Sequence, residues 1–181
     1  HLCTAEVAAL FSSSAVTARS LPPGTALSVA AGAAVDLNRA SQTVAALSGE
    51  GTVTGGALTV TGRISAGSAP GAAGALAVQS GLTLAAGVTN AVDCSAEACD
   101  VVNVRGALTL QGAGTVAVSL ADPLLPPRQS VLFTFDTLSG AANLAAWTVT
   151  GVPTGYRASL KADANSIRLT LGRVGAMIML R

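Results

Sequence analysis

Aromatic side chains are nearly missing from this chain: Phe, Trp and Tyr together make up 3% of its 181 residues, although half of the residues are hydrophobic. The interior must then be filled by Ala, Val and Leu, which suit narrow, repetitive layers better than a bulky globular core. Charge is equally sparse. Charged residues make up 10%, against roughly 25% in an average soluble domain, and the formal net charge is +1. The ten Lys and Arg are scattered, with no run that could neutralise a line of phosphates, so nucleic acid is not expected as a partner.

Other absences narrow the chemistry. His1 is the one histidine, which leaves nucleophilic triads and histidine metal sites without a partner group. Asp36, Glu50, Asp93, Glu97, Asp100, Asp122, Asp136 and Asp163 are spread along the chain. They read as turn formers or solvated groups rather than the converging carboxylates of a glycan-cleaving groove. Gly49-Glu50-Gly51 and Gly112-Ala113-Gly114 lack the following Lys-Ser/Thr of a phosphate cradle, and the GGxGxD nonapeptide of calcium-binding repeats is absent. No Asn precedes an x-Ser/Thr sequon. The chain is therefore read as a non-enzyme without cofactor or metal. No apolar run reaches the 18 or more residues that span a bilayer, and no basic n-region opens the sequence. The start at His1 suggests a processed protein or a fragment, so the expectation is a chain that does not span a membrane as given.

What the chain has in abundance is one short phrase. Gly56-Ala57-Leu58-Thr59-Val60, Gly81-Leu82-Thr83-Leu84 and Gly106-Ala107-Leu108-Thr109-Leu110 each read as a brief strand with apolar residues on one face and Thr on the other. Similar strands precede them at Ala26–Val29, Ala34–Leu37, Thr43–Leu47 and Gly51–Thr54. Strands this short cannot bury an apolar face alone and must stack on one another. Three strands per coil give a repeat of about 20–25 residues, with equivalent strands paired in parallel and Val and Leu aligned in columns. The Thr-x-Thr triplets at Thr52, Thr59 and Thr148 are unequally spaced, which argues against one flat ice-binding array and for simple strand preference.

The order GALTVTG, RISAGSAPGAAGALAV, SGLTLAAGVTNAVD and DVVNVRGALTLQGAGTVAVSL, across residues 50–120, resembles the autotransporter-associated β-strand repeats of large bacterial surface proteins. The resemblance implies a right-handed parallel β-helix displayed outside the cell. It brings no set of catalytic residues. One departure is the insertion of Cys94-Ser95-Ala96-Glu97-Ala98-Cys99 after Asp93. The two cysteines could close a small disulfide ring or remain free thiols. Metal is disfavoured because no second cysteine pair or internal histidine accompanies them, and the implied export favours the disulfide. Cys3 is then left over.

The two ends differ from the middle. Ala5–Phe11 lacks glycine and could form two helical turns whose Val7, Leu10 and Phe11 face plugs one end of the stack, with a frayed tail as the alternative. After Leu120, Asp122–Arg128 reads as a proline-stiffened connector. Longer strands follow at Val131–Asp136, Trp147–Thr150, Tyr156–Lys161 and Ser166–Leu171, with Ala162–Asn165 as a hairpin turn. Trp147 and Tyr156 are read as anchors of a capping core, with a small sugar platform as the alternative. The last apolar stretch, Ala176-Met177-Ile178-Met179-Leu180, is a strand edge that needs covering.

The expected architecture is all-β: a right-handed parallel β-helix, or β-solenoid, over 21–121, a terminal segment or cap over 1–20, and a hairpin-rich β cap over 122–181. The expected role is that of an extracellular or bacterial cell-surface structural protein. It would form a homo-oligomer or filament, the joint supplied by Ala176–Leu180 or by Val7, Leu10 and Phe11. The rival reading is a surface adhesin or glycan-binding passenger domain.

Overall fold

The computed structural model describes residues 16–17, 21–67, 72–122 and 129–174. Along the chain the strands are β1 (Val16–Thr17), β2 (Ala26–Val29), β3 (Ala34–Asp36), β4 (Gln42–Gly49), β5 (Thr52–Thr54) and β6 (Leu58–Ala66). They continue as β7 (Ala75–Val78), β8 (Leu82–Leu84), β9 (Thr89–Cys94), β10 (Val101–Val104), β11 (Ala107–Leu110) and β12 (Thr115–Leu120). The last are β13 (Gln129–Thr134), β14 (Thr137–Ser139), β15 (Thr148–Thr150), β16 (Tyr156–Ala162) and β17 (Ser166–Arg173), with a 3-10 helix at Ala141–Ala146. The protein is thus nearly all β. Among the described residues no helix is long and apolar enough to cross a membrane, which leaves β-barrels unaddressed.

Two sheets hold these strands, and most of their pairs are parallel. One runs β1-β3-β5-β7-β10-β13-β17-β16; the other runs β14-β11-β8-β6-β9-β12-β15, with β4 beside β6 and β2 beside β4. Until the final hairpin, strands that follow one another in the chain do not pair. Each instead bonds its counterpart one repeat away, so that Val35, Val53, Val78 and Val104 stand in one row of partners. Leu58, Leu82, Leu108 and Leu138 stand in another. A parallel pair needs a crossover between its members, and here strands of the other sheet serve as that crossover.

Strand β6 is where the second sheet forks. Leu58–Val60 pair with Leu82–Leu84 of β8, whereas Arg63–Ser65 pair with Thr89–Ala91 of β9. From there the rows β8-β11-β14 and β9-β12-β15 run separately. In sequence, Ser65-Ala66-Gly67-Ser68-Ala69-Pro70-Gly71 reads as a Gly/Pro loop, but the long strand runs on through Ser65 and Ala66.

Alternation puts the apolar residues of β6, β8 and β11 inside, with Leu58, Val60, Leu82, Leu84 and Leu108 fully buried. The Thr residues between them are half-buried rather than solvated. The register explains this: Thr43, Thr59, Thr83 and Thr109 are consecutive partners, so each threonine is covered by the ones on either side. Asn90, 2% exposed, is the polar member of a row whose neighbours are Ile64 and Val116.

Polarity changes at the C-terminal end. β17 runs antiparallel to β13 with a bulge between Val131 and Phe133, and β16 folds back antiparallel on β17. The hairpin turn falls where the sequence places it, closed by the Asp163 N–H donating to the Ser166 carbonyl at 2.8 Å. The 3-10 helix was not expected. It follows Gly140, whose φ of 74° is left-handed and whose missing Cβ lets the turn lie against the Leu110 carbonyl. Asn143 Nδ2 donates to that same carbonyl at 2.7 Å. The helical turns expected at Ala5–Phe11, the prolines of the connector after Asp122 and the terminal strand Ala176–Leu180 lie outside the described residues.

If the buried rows carry the fold, Leu82→Ala removes a fully enclosed side chain and should lower unfolding stability by about 2–5 kcal/mol. Thr83→Ala, one residue away on the other face, should cost less than about 1 kcal/mol. Urea unfolding of both variants measures the difference, and equal losses would contradict the inside–outside assignment.

Candidate functional site

Two places gather chemistry-bearing side chains. The first is the β9–β10 turn. Ser95 N–H donates to the Ala98 carbonyl at 2.8 Å, and Ser95 Oγ accepts from the N–H of Ala98 at 3.1 Å and of Glu97 at 3.4 Å. This tight turn brings Cys94 and Cys99 opposite each other, and they form a disulfide with both residues buried. The expected ring is therefore present.

Asp100 comes next, and its environment departs from the sequence reading of a solvated turn carboxylate. It is 3% exposed. Its Oδ2 accepts from the Asp93 N–H at 3.1 Å and its Oδ1 from the Gly74 N–H at 2.7 Å. Its own N–H donates to the Asp93 carbonyl, and the Val101 N–H returns a bond to the Gly74 carbonyl, both at 2.9 Å. The carboxylate thereby clips the disulfide turn to the start of β7. Burial pushes its pKa up to about 6, outweighing the two N–H donors that pull it down, and the nearby charges of Asp93 and Glu50 push the same way. A signal for this was present in the position of Asp100 directly before a buried strand, but sequence spacing alone did not show that Gly74 would face it.

The second place is a depression of about 320 Å³ between β15, the 3-10 helix and β16. Trp147 and Tyr156 both line it, together with Leu144, Val149, Val152, Ala158 and Leu160. Trp147 is 9% exposed, and its indole N–H donates to the Gly112 carbonyl at 2.9 Å. A Cβ on Gly114 would come within 2.7 Å of the indole, so that glycine seats the ring. Tyr156 is half-buried; Arg173 lies over its ring, 5.6 Å from the centroid, and donates from Nε to its hydroxyl at 3.0 Å. The two aromatics thus share one hollow, which Ser159 also lines, with the indole packed inward and one tyrosine face taken by a guanidinium.

Among the described residues no group of three or more His, Cys, Asp or Glu could hold a metal ion. The sequence-proposed joint residues Val7, Leu10, Phe11 and Ala176–Leu180 lie outside the described residues. Comparison with known proteins returned no match, whether with a family model, a curated protein or a solved structure.

The raised carboxyl of Asp100 sets a sign for pH. Between about pH 6 and its ordinary value near 4, the folded chain holds a proton that the unfolded chain releases. Its contribution is fully present below that ordinary value and is lost as pH rises through 6. Urea unfolding of the parent chain and Asp100→Asn at pH 7.5 and 4.5 isolates this effect. The parent should gain more stability on acidification than the variant; identical gains would show that Asp100 keeps an ordinary pKa.

Proposed function

We propose that the chain is an extracellular structural protein of the right-handed β-solenoid type, its coils stacked as parallel layers and its role performed by shape. It assembles end to end with further copies into a filament or sheath. The layered reading is supported by rows of identical residues paired in parallel one repeat apart. The Cys94–Cys99 disulfide is consistent with an oxidising location, since such bonds persist mainly outside reducing compartments.

The observation that carries assembly is the asymmetry of the C-terminal end. The first sheet is closed there by the antiparallel hairpin of β16 and β17, whereas among the described residues β14 pairs only with β11 and β15 only with β12. Both edges expose parallel-type backbone with small polar side chains, Ser139, Thr148 and Thr150, and carry none of the charges or prolines that commonly protect an edge. A contact between this end and the opposite end of a second copy is heterologous, so it does not close and grows a filament.

The second reading, a glycan-binding module, is favoured by the convergence of Trp147 and Tyr156 on one hollow. It is weakened by the enclosure of the indole. Electron microscopy and sedimentation of the parent beside a Ser139→Lys/Thr150→Lys variant separate the readings. The parent should form filaments, and the two added charges should raise the concentration needed for assembly at least tenfold. A parent that stays monomeric at millimolar concentration would overturn the assembly reading, and saturable binding on a glycan panel would favour the alternative.

A further inference from the structure

The hollow beside Trp147 offers a surface more polar than apolar, although aliphatic side chains dominate the residues that line it. The strands that flank it explain the mixture. Among the described residues β15 pairs only with β12 and β16 only with β17, so each has an edge whose N–H and C=O groups lack a strand partner. Ser159 lines the same wall. The volume of about 320 Å³ lies at the lower end of small-ligand sites, which begin at about 300 Å³. Polar backbone beside Trp147, Val149 and Leu160 does not suit a hydrocarbon, whose burial would leave the polar groups unpaired. It suits a compact ring that carries hydroxyls around its edge and C–H groups on its face, which is the chemistry of a sugar.

Charge narrows the choice. No Asp or Glu lines the hollow, and its rim is cationic. Arg173 is the register partner of Tyr156, lies over the tyrosine ring and donates from Nε to the hydroxyl. That bond uses one of the five N–H donors of a guanidinium. The two Nη groups have no partner among the described residues, and they form the fork that takes a carboxylate through two parallel bonds. The tyrosine contact already restrains the arginine, so less conformational freedom is lost when a ligand arrives. Arg157, next to Tyr156 in the chain, is a second exposed cation. Farther along the hairpin Asp163 is engaged by Lys161 at 3.3 Å and by Arg168 at 3.0 Å, and it forms no ion pair with Arg157 or Arg173.

We propose that the hollow between β15 and β16 binds an acidic sugar, its ring against Trp147, Val149 and Leu160, its hydroxyls on the open strand edges and its carboxylate on the Arg173 guanidinium. The proposal rests on the glycan-binding reading, whose sugar class it names, and not on assembly. A neutral sugar uses the same walls without the guanidinium and binds more weakly.

Trp147 is the sole tryptophan, so its emission reports on the hollow without labelling. Galacturonate and galactose, which differ in a carboxylate for a hydroxymethyl group, are titrated against the full chain and against Arg173→Gln. Galacturonate should change the emission saturably and bind at least fivefold more tightly than galactose at low salt. Most of that advantage should vanish at high salt, because the ion pair is exposed. In Arg173→Gln the preference should fall below twofold while galactose affinity stays within twofold of the parent, a split that loss of Tyr156 positioning alone would not give. NMR shifts in isotope-labelled parent chain locate the site whether or not the variant folds: galacturonate should move the Trp147 indole N–H and the amides of Tyr156 and Ser159. Equal binding of the two sugars would overturn the proposal and leave the glycan-binding reading in place. Shifts confined to other residues would overturn it too. Binding of neither sugar would also overturn it, the wider reading then resting on the glycan panel.

Discussion

Everything in this molecule depends on like residues meeting like across parallel ladders. A strand of three residues such as Leu82–Leu84 gains little from its own apolar face, but it lies between Leu58–Val60 and Leu108–Leu110 with every residue matched. Burial then becomes continuous along the row, and two or three modest side chains per strand suffice because each strand is flanked by its partners on both sides. The scarcity of aromatic residues follows from the same geometry. A ring in mid-row would need a matching space in the strands on both sides, so Trp147, Tyr156, Phe133 and Phe135 are all found in the last third of the chain.

That end has different physics. Parallel stacking has no natural stop, and this chain stops one of its two sheets by reversing direction at β17 and β16. The indole of Trp147 lies on Gly114, between β11 and β12, and ties the 3-10 helix and β15 to the layer below through the Gly112 carbonyl. Elsewhere the local device is the Asp100 clip, which joins the Cys94–Cys99 turn to Gly74 at the start of β7. Its carboxyl sits out of water against two N–H donors and near two other acidic groups, so it holds the turns together most cheaply when protonated.

The sequence disclosed the rows because their rule is local: Leu-Thr-Leu after glycine reads as a short alternating strand wherever it occurs. The Ala162–Asn165 turn and the Cys94–Cys99 ring were legible for the same reason, since each is decided within six residues. Features set by the layer above or below were not legible. Leu58–Ala66 reads as a strand and a loop, and only its two sets of partners show one strand that forks. Thr59 and Thr83 read as solvent-facing because their cover comes from other threonines far along the chain. Asp100 reads as a turn residue because Gly74, whose N–H donates to it, is separated from it by three strands. Gly112 and Gly114 look like ordinary turn glycines, and nothing local to them announces an indole.

The central claim is that strands pair with their equivalents one repeat away rather than with their neighbours in sequence. Through-space NMR contacts in selectively leucine- and valine-labelled protein measure this most directly. The account predicts that Leu82 shows close contacts to both Leu58 and Leu108, with Val78 correspondingly linked to Val53 and Val104. Backbone contacts between successive strands in an antiparallel pattern, β7 with β8 or β11 with β12, and none between Leu82 and Leu58 or Leu108, would contradict it.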